Sequence, residues 1–242
     1  MVITYNTITM NGGLIMVLKI LLISLVGLAV DVWFIKTEYA GKMAKATLLK
    51  GAASFFFVVL GLVCYAAQKT DFGRLVLIGL ILGLVGDVFL NLRNQLTGGK
   101  SMKIFAVGIL AFLSGHFLYI AALIGRSPAI ILPALIAMAV ISALAIPPLM
   151  KRITAPSAGL KIFGYVYLVV VIAMFSCAAA LLVTLGAGAL TLVFTLGALL
   201  FVVSDFIMIY YSFGKKIKPL RAINLLCYYV GQLMIAVCIL LA

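Results

Sequence analysis

The run LVLIGLILGLVGDVFLNL, residues 75–92, decides the fold. It is nearly long enough, and apolar enough, to cross a bilayer as a helix, which takes about 20 such residues. Yet it holds an aspartate, Asp87, and one turn further on an asparagine, Asn91. Seven other segments share its character: 14–35, 46–67, 103–124, 128–149, 161–183, 187–211 and 219–241. The loops between them are short and attach no soluble domain. The expected fold is therefore all-α, a polytopic membrane protein of eight transmembrane helices in one domain, 14–242. The polar stretch 1–13 reads as an N-terminal extension that frays.

Composition agrees. Of 242 residues, 67% are hydrophobic and 10% charged, against about 25% charged in a soluble domain. Too little polar surface remains to cover a water-soluble globule, which excludes cytosolic enzymes, disordered tails and secreted disulfide scaffolds. The four cysteines (Cys64, Cys177, Cys227 and Cys238) fall inside apolar segments without metal-type spacing. They read as small core residues.

Eighteen Lys and Arg stand against five Asp and Glu, a net charge of +13. The bases lie between apolar runs, where they set topology and meet anionic lipid rather than nucleic acid. The loops after segments one, three, five and seven carry Lys36, Lys42, Lys45, Arg93, Lys100, Lys151, Arg152, Lys215, Lys216 and Lys218, whereas the opposite side has only Lys69, Arg74 and Arg126. The positive-inside rule then places both termini outside. In a bacterium the protein would sit in the cytoplasmic membrane. The first segment has Lys19 and Ala29, features shared with signal peptides, but it continues to Ile35 and is followed by Lys36 and Lys42. Those flanks read as stop-transfer.

Laid side by side, the two halves (about 14–124 and 128–242) suggest a parallel 4+4 repeat. Gly86-Asp87 in the third segment answers Ser204-Asp205 in the seventh, and Gly115-His116 in the fourth answers Gly231-Gln232 in the eighth.

An ionisable side chain inside a bilayer is costly and marks a functional site by default. Asp31, Asp87 and Asp205 fall within apolar segments, while Glu38 and Asp71 are expected in loops. At about 1.5 Å per residue, Asp87 and Asp205 lie roughly 8–9 Å from the basic ends of their helices. Asp31 is shallower, and the simpler reading pairs it with Lys36. Lys50, a turn inside the second segment, either snorkels to the interface or faces a lipid phosphate. Asn224, Tyr228 and Gln232 form an i, i+4, i+8 stripe. His116 and Tyr119 share a face about 20 Å from the basic end of the fourth segment, well beyond the aspartates. With a single histidine and no metal-ligand spacing, no metal is expected.

Four stretches resemble the lysoplasmalogenase family of YhhN-like membrane proteins: Gly83-Leu84-Val85-Gly86-Asp87, Phe112-Leu113-Ser114-Gly115-His116-Phe117-Leu118-Tyr119, Leu200-Phe201-Val202-Val203-Ser204-Asp205 and Tyr228-Tyr229-Val230-Gly231-Gln232. They occur in family-like order and spacing. The first, second, fifth and sixth segments add little to the likeness. The resemblance implies hydrolysis of the vinyl-ether bond of lysoplasmalogens to a fatty aldehyde and a glycerophospho-base. It implies Asp87 and Asp205 as catalytic acids, and His116, Tyr228, Tyr229 and Gln232 as pocket residues. Asn91, one turn after Asp87 on the same face, and Lys50, about a turn inside the second segment, join them as candidate substrate contacts.

The chemistry suits two carboxyls. Protonating the β-carbon of a vinyl ether creates an oxocarbenium ion that water captures, so one group must donate a proton and another must face the developing cation. Two acids in a low-dielectric site can divide those roles, and either aspartate could be the donor. No cofactor is required, and the expected partners are a lysophospholipid substrate and membrane lipid. A different class, a small proton-coupled transporter working around the same acids, fits the eight helices and the tandem repeat as well.

Overall fold

Every apolar segment is helical in the computed structural model, which describes residues 2–154 and 158–242, with side chains from residue 12 to 154 and from 161 onward. The helices are α1 (Val2–Tyr39), α2 (Met43–Ala67), α3 (Asp71–Leu92), α4 (Gly98–Arg126), α5 (Ile131–Met150), α6 (Ala158–Leu185), α7 (Ala189–Phe213) and α8 (Lys218–Leu241). All eight are long and apolar enough to span a membrane, and no strand occurs among the described residues. The chain is an all-helical multi-pass membrane protein.

Local sequence fixes where the helices stop. Gly41, just past α1, has φ of 74° and Gly186, just past α6, has φ of 85°. Both are left-handed positions that a side chain resists. Thr70 caps α3 by accepting the Gly73 N–H at 3.0 Å, a bond that meets one of the free donors at a helix start. Pro147 and Pro148 sit in the last turn of α5, which ends at Met150, because proline cannot supply the helical N–H. Pro128 opens a short 3₁₀ turn that delays α5 to Ile131.

Three expectations about α1 and its neighbours are corrected. The stretch 1–13 is not frayed coil, since α1 begins at Val2; it contains no proline, and Gly12-Gly13 weaken a helix without ending it. Glu38 lies in the last turn of α1 rather than in a loop. Asp71 opens the first turn of α3, a place where an acid is favoured by the helix dipole.

Packing places α8 at the centre, against α1, α2, α3 and α7, while α6 joins α4, α5 and α7. Leucines along α1 and α5, such as Leu25 (65% exposed) and Leu144 (72% exposed), point outward, as lipid-facing residues do. The aromatic core of Phe57, Tyr119, Phe194, Phe201 and Tyr229 is buried among α2, α4, α7 and α8. At one end of the bundle the finishing turns of α1, α3 and α7 and the opening turns of α2, α4, α6 and α8 surround one cavity.

Candidate active site

The cavity holds about 400 Å³ and lies at the end of the bundle where the basic residues collect. Arg93, Lys216, Arg221 and Lys50 line it together with Glu38, and Phe105, Ile109, Phe163 and Met208 supply apolar wall. At its base lies a further space of about 30 Å³, roughly one water in size, bordered by Lys50, Asp87, Tyr167, Ser204, Asp205, Arg221 and Tyr228. Asp87 and Asp205 thus face a single small chamber below a wider vestibule.

Asp87 is heavily engaged. Its Oδ1 is 3.0 Å from Lys50 Nζ, and its Oδ2 accepts from Ser54 Oγ at 2.6 Å and from Tyr228 OH at 2.7 Å. Lys50 neither snorkels nor reaches lipid. It is buried, at 7% exposure, in an ion pair. Tyr229 lies behind, its OH 3.2 Å from Ser54 Oγ and donating to Lys50 O at 3.3 Å. One cation and two hydroxyl donors thus surround a single carboxylate.

Asp205 is held differently. Its Oδ2 accepts from Tyr167 OH at 2.8 Å, and no cation pairs with it among the described residues. The preceding Ser204 takes both of its bonds from Asn224 Nδ2, at 2.8 Å each. Asn224 in turn accepts from Arg221 at 3.0 Å, and Arg221 forks onto both oxygens of Glu38 at 2.9 Å. A fork of this kind fixes geometry as well as charge.

The α8 stripe is therefore a ladder that touches a different helix at each turn. Asn224 reaches α7, Tyr228 reaches α3, and Gln232 accepts from Tyr119 OH of α4 at 3.2 Å. Gln232 also donates to Tyr228 OH at 3.3 Å.

Of the candidate residues, Lys50, Asn91, Asp87, Asp205 and Tyr228 line one or both spaces. Asn91 Nδ2 donates to Thr47 Oγ1 at 3.0 Å. Tyr229, Gln232 and His116 stand one layer back. His116 Nδ1 is 2.7 Å from Phe112 O, its Nε2 has no partner among the described residues, and its ring packs edge-on to Phe201 at 4.7 Å and Tyr167 at 6.0 Å. It supports Tyr167 from below, which reconciles its depth with the position of the aspartates.

Sequence reasoning missed Tyr167, Ser54 and the Arg221–Glu38 pair, and it misplaced Asp31. That acid is wholly buried and makes no hydrogen bond among the described residues, while Lys36 is exposed. Five residues separate the two, and on a helix such a step turns away from the common face.

The YhhN family model matches residues 45–239. The chain belongs to that family, the family of lysoplasmalogenases. No curated protein and no solved structure matches it. The match begins inside α2, so α1 lies outside it.

Proposed function

We propose that this member of the YhhN family hydrolyses the vinyl-ether bond of lysoplasmalogens, with Asp205 as proton donor and Asp87 as the carboxylate that faces the developing cation. The observation that carries this reading is the sharing of one water-sized chamber by two carboxyls in unlike surroundings: Asp87 ion-paired to Lys50, Asp205 met by the Tyr167 hydroxyl. Unlike settings are how a pair of acids comes to hold different protonation states.

In the first step the vinyl π electrons take the Asp205 proton at the β-carbon, forming a C–H bond and leaving an oxocarbenium ion. The Asp87 carboxylate stabilises that cation through space. Water then adds to the cationic carbon and yields its proton to Asp87. In the resulting hemiacetal the bond to the glycerol oxygen breaks, the hydroxyl proton passes to that oxygen as it leaves, and the aldehyde departs. Passage of the proton from Asp87 back to Asp205 restores the starting state. Tyr167 and Tyr228 hold the two carboxylates in place.

The vestibule suits a single-chain phospholipid. A phosphate fits near Arg93 and Lys216, which enter no ion pair among the described residues, and Phe105, Ile109 and Phe163 offer apolar surface for the chain. Membrane lipid is the medium through which such a substrate arrives.

Incubation of the purified protein with a lysoplasmenyl-ethanolamine, followed by mass-spectrometric detection of fatty aldehyde, tests the proposal. Wild type is expected to release aldehyde, and Asp87→Asn and Asp205→Asn to retain less than about one part in a thousand of that rate, a loss of the size expected when charge-stabilising and proton-donating groups go. Full turnover in either folded variant would end the two-aspartate mechanism.

A further inference from the structure

Asp31 and Glu38 both lie outside the family match and take no part in the reaction, but Glu38 is paired with Arg221 and Asp31 is not. Asp31 sits on α1, outside residues 45–239, at 0% exposure, and neither carboxyl oxygen has a hydrogen-bond partner among the described residues. Its surroundings are fixed by tight packing. One turn earlier, a Cβ on Gly27 would come within 2.9 Å of Phe56 Cβ on α2, and Phe34, one turn later, is fully buried. The charged and titratable groups that face Asp31 are Lys50 from α2, Asp87 from α3, Arg221 and Tyr229 from α8, and Glu38 from its own helix.

Those charges are already matched. Lys50 is 3.0 Å from Asp87, and Arg221 is forked onto Glu38. Two cations and two anions make a neutral cluster, and an ionised Asp31 would add a fifth charge with no donor to receive it. An unpartnered carboxylate buried among apolar helices is among the most costly states a side chain can adopt.

We propose that Asp31 holds a proton in the resting protein and acts as a positioning residue for the Asp87–Lys50 pair, supplied by a helix that lies outside the family match. While Asp31 is neutral, the Lys50 ammonium belongs wholly to Asp87. Once Asp31 ionises, it competes for the same ammonium and draws it off Asp87, so the stabilising geometry at the chamber is lost. Asp31 forms no bond with substrate and takes part in no bond-breaking step. The positioning role rests on the hydrolase reading; the resting protonation state does not.

Two measurements decide the matter. The infrared difference between wild type and Asp31→Asn at neutral pH is expected to contain the C=O stretch of a protonated carboxyl, and carboxylate bands in its place overturn the proposal. Should Asp31→Asn fail to purify folded, Asp31→Glu shifts the same band and reports the same state. In the aldehyde assay, Asp31→Asn preserves the neutral shape, so its kcat at neutral pH stays within about threefold of wild type, while the alkaline limb of its pH profile moves to higher pH. A folded Asp31→Asn that is inactive at neutral pH, or whose profile superimposes on wild type, overturns the positioning role. Failure of the hydrolase reading appears separately, as a wild type that releases no aldehyde, and the infrared band then decides the protonation state alone.

Discussion

Lys50 shows how much a buried site depends on pairing. Its ammonium and the Asp87 carboxylate are both nearly inaccessible and lie 3.0 Å apart. Removing one partner leaves the other charged and unmatched, which costs about 3–5 kcal/mol, whereas removing both often costs little. Lys50→Met is therefore expected to lower the thermal stability of the detergent-solubilised protein sharply, and Lys50→Met/Asp87→Asn to recover most of it while remaining inactive. Thermal denaturation followed by circular dichroism reads the difference; equal melting of the two variants would show that the pair is not coupled. Tyr167→Phe removes the one donor that Asp205 Oδ2 has among the described residues and should lower kcat about 10–100-fold with KM nearly unchanged, as steady-state kinetics would show. At this scale the acids were legible in the sequence because charge inside an apolar run stands out. Their partners were not. Ser54 meets Asp87 across 33 residues and Tyr167 meets Asp205 across 38, and a serine or tyrosine in a membrane helix carries no mark of what it faces. Asp31 was assigned to Lys36 because nearness in sequence was the sole guide.

Between elements, glycine sets the distances that let those side chains meet. A Cβ on Gly115 of α4 would come 3.1 Å from Gly79 O on α3, and one on Gly231 of α8 would come 2.8 Å from Gly197 O on α7. Both contacts are against backbone, which cannot swing aside, so a methyl at either place must push the helices apart. Gly79 precedes Asp87 by eight residues, as Gly197 precedes Asp205, and Gly115 and Gly231 directly precede His116 and Gln232. The two helix pairs thus cross at matching places relative to the two aspartates. Small residues at such crossings allow backbones in lipid to approach closely. Gly231→Ala is expected to destabilise the protein by about 1–3 kcal/mol, the usual penalty of overpacking, and to reduce activity, because Asn224, Tyr228 and Gln232 ride on α8. Gly125→Ala, near the end of α4 remote from the cavity, where a Cβ would meet nothing within 4 Å, is the control and should be silent in both assays. Apart from the start of α1, the helices themselves were readable to within about five residues from hydropathy. Their neighbours in space were not, because apolar faces in a membrane helix look alike whichever helix covers them.

Across the whole molecule, the same basic residues that point to topology also shape the approach to the site. The cavity opens at the end of the bundle where α1, α3 and α7 finish, the end that the positive-inside rule leads one to expect on the cytoplasmic side. Within the vestibule, Lys50 and Arg221 are neutralised by Asp87 and Glu38. Arg93, stacked over Phe105 at 4.4 Å, and the exposed Lys216 are left to meet an anion. A phosphate between them would be held in partly aqueous surroundings, so the attraction should weaken as salt screens it, over a Debye length of about 8 Å at physiological ionic strength. Neither cation reaches the chamber that holds the aspartates, so the two act on binding rather than on bond breaking. Arg93→Gln/Lys216→Gln is accordingly expected to raise KM for a lysoplasmenyl lipid about tenfold while leaving kcat within about twofold, since loss of uniform binding changes KM alone. The increase in KM with salt seen for wild type should also flatten in the double variant. Vesicle-based kinetics at two ionic strengths provide both readouts. A double variant whose KM and salt dependence match wild type would place the phosphate elsewhere, and would leave the surplus of positive charge as a determinant of topology alone.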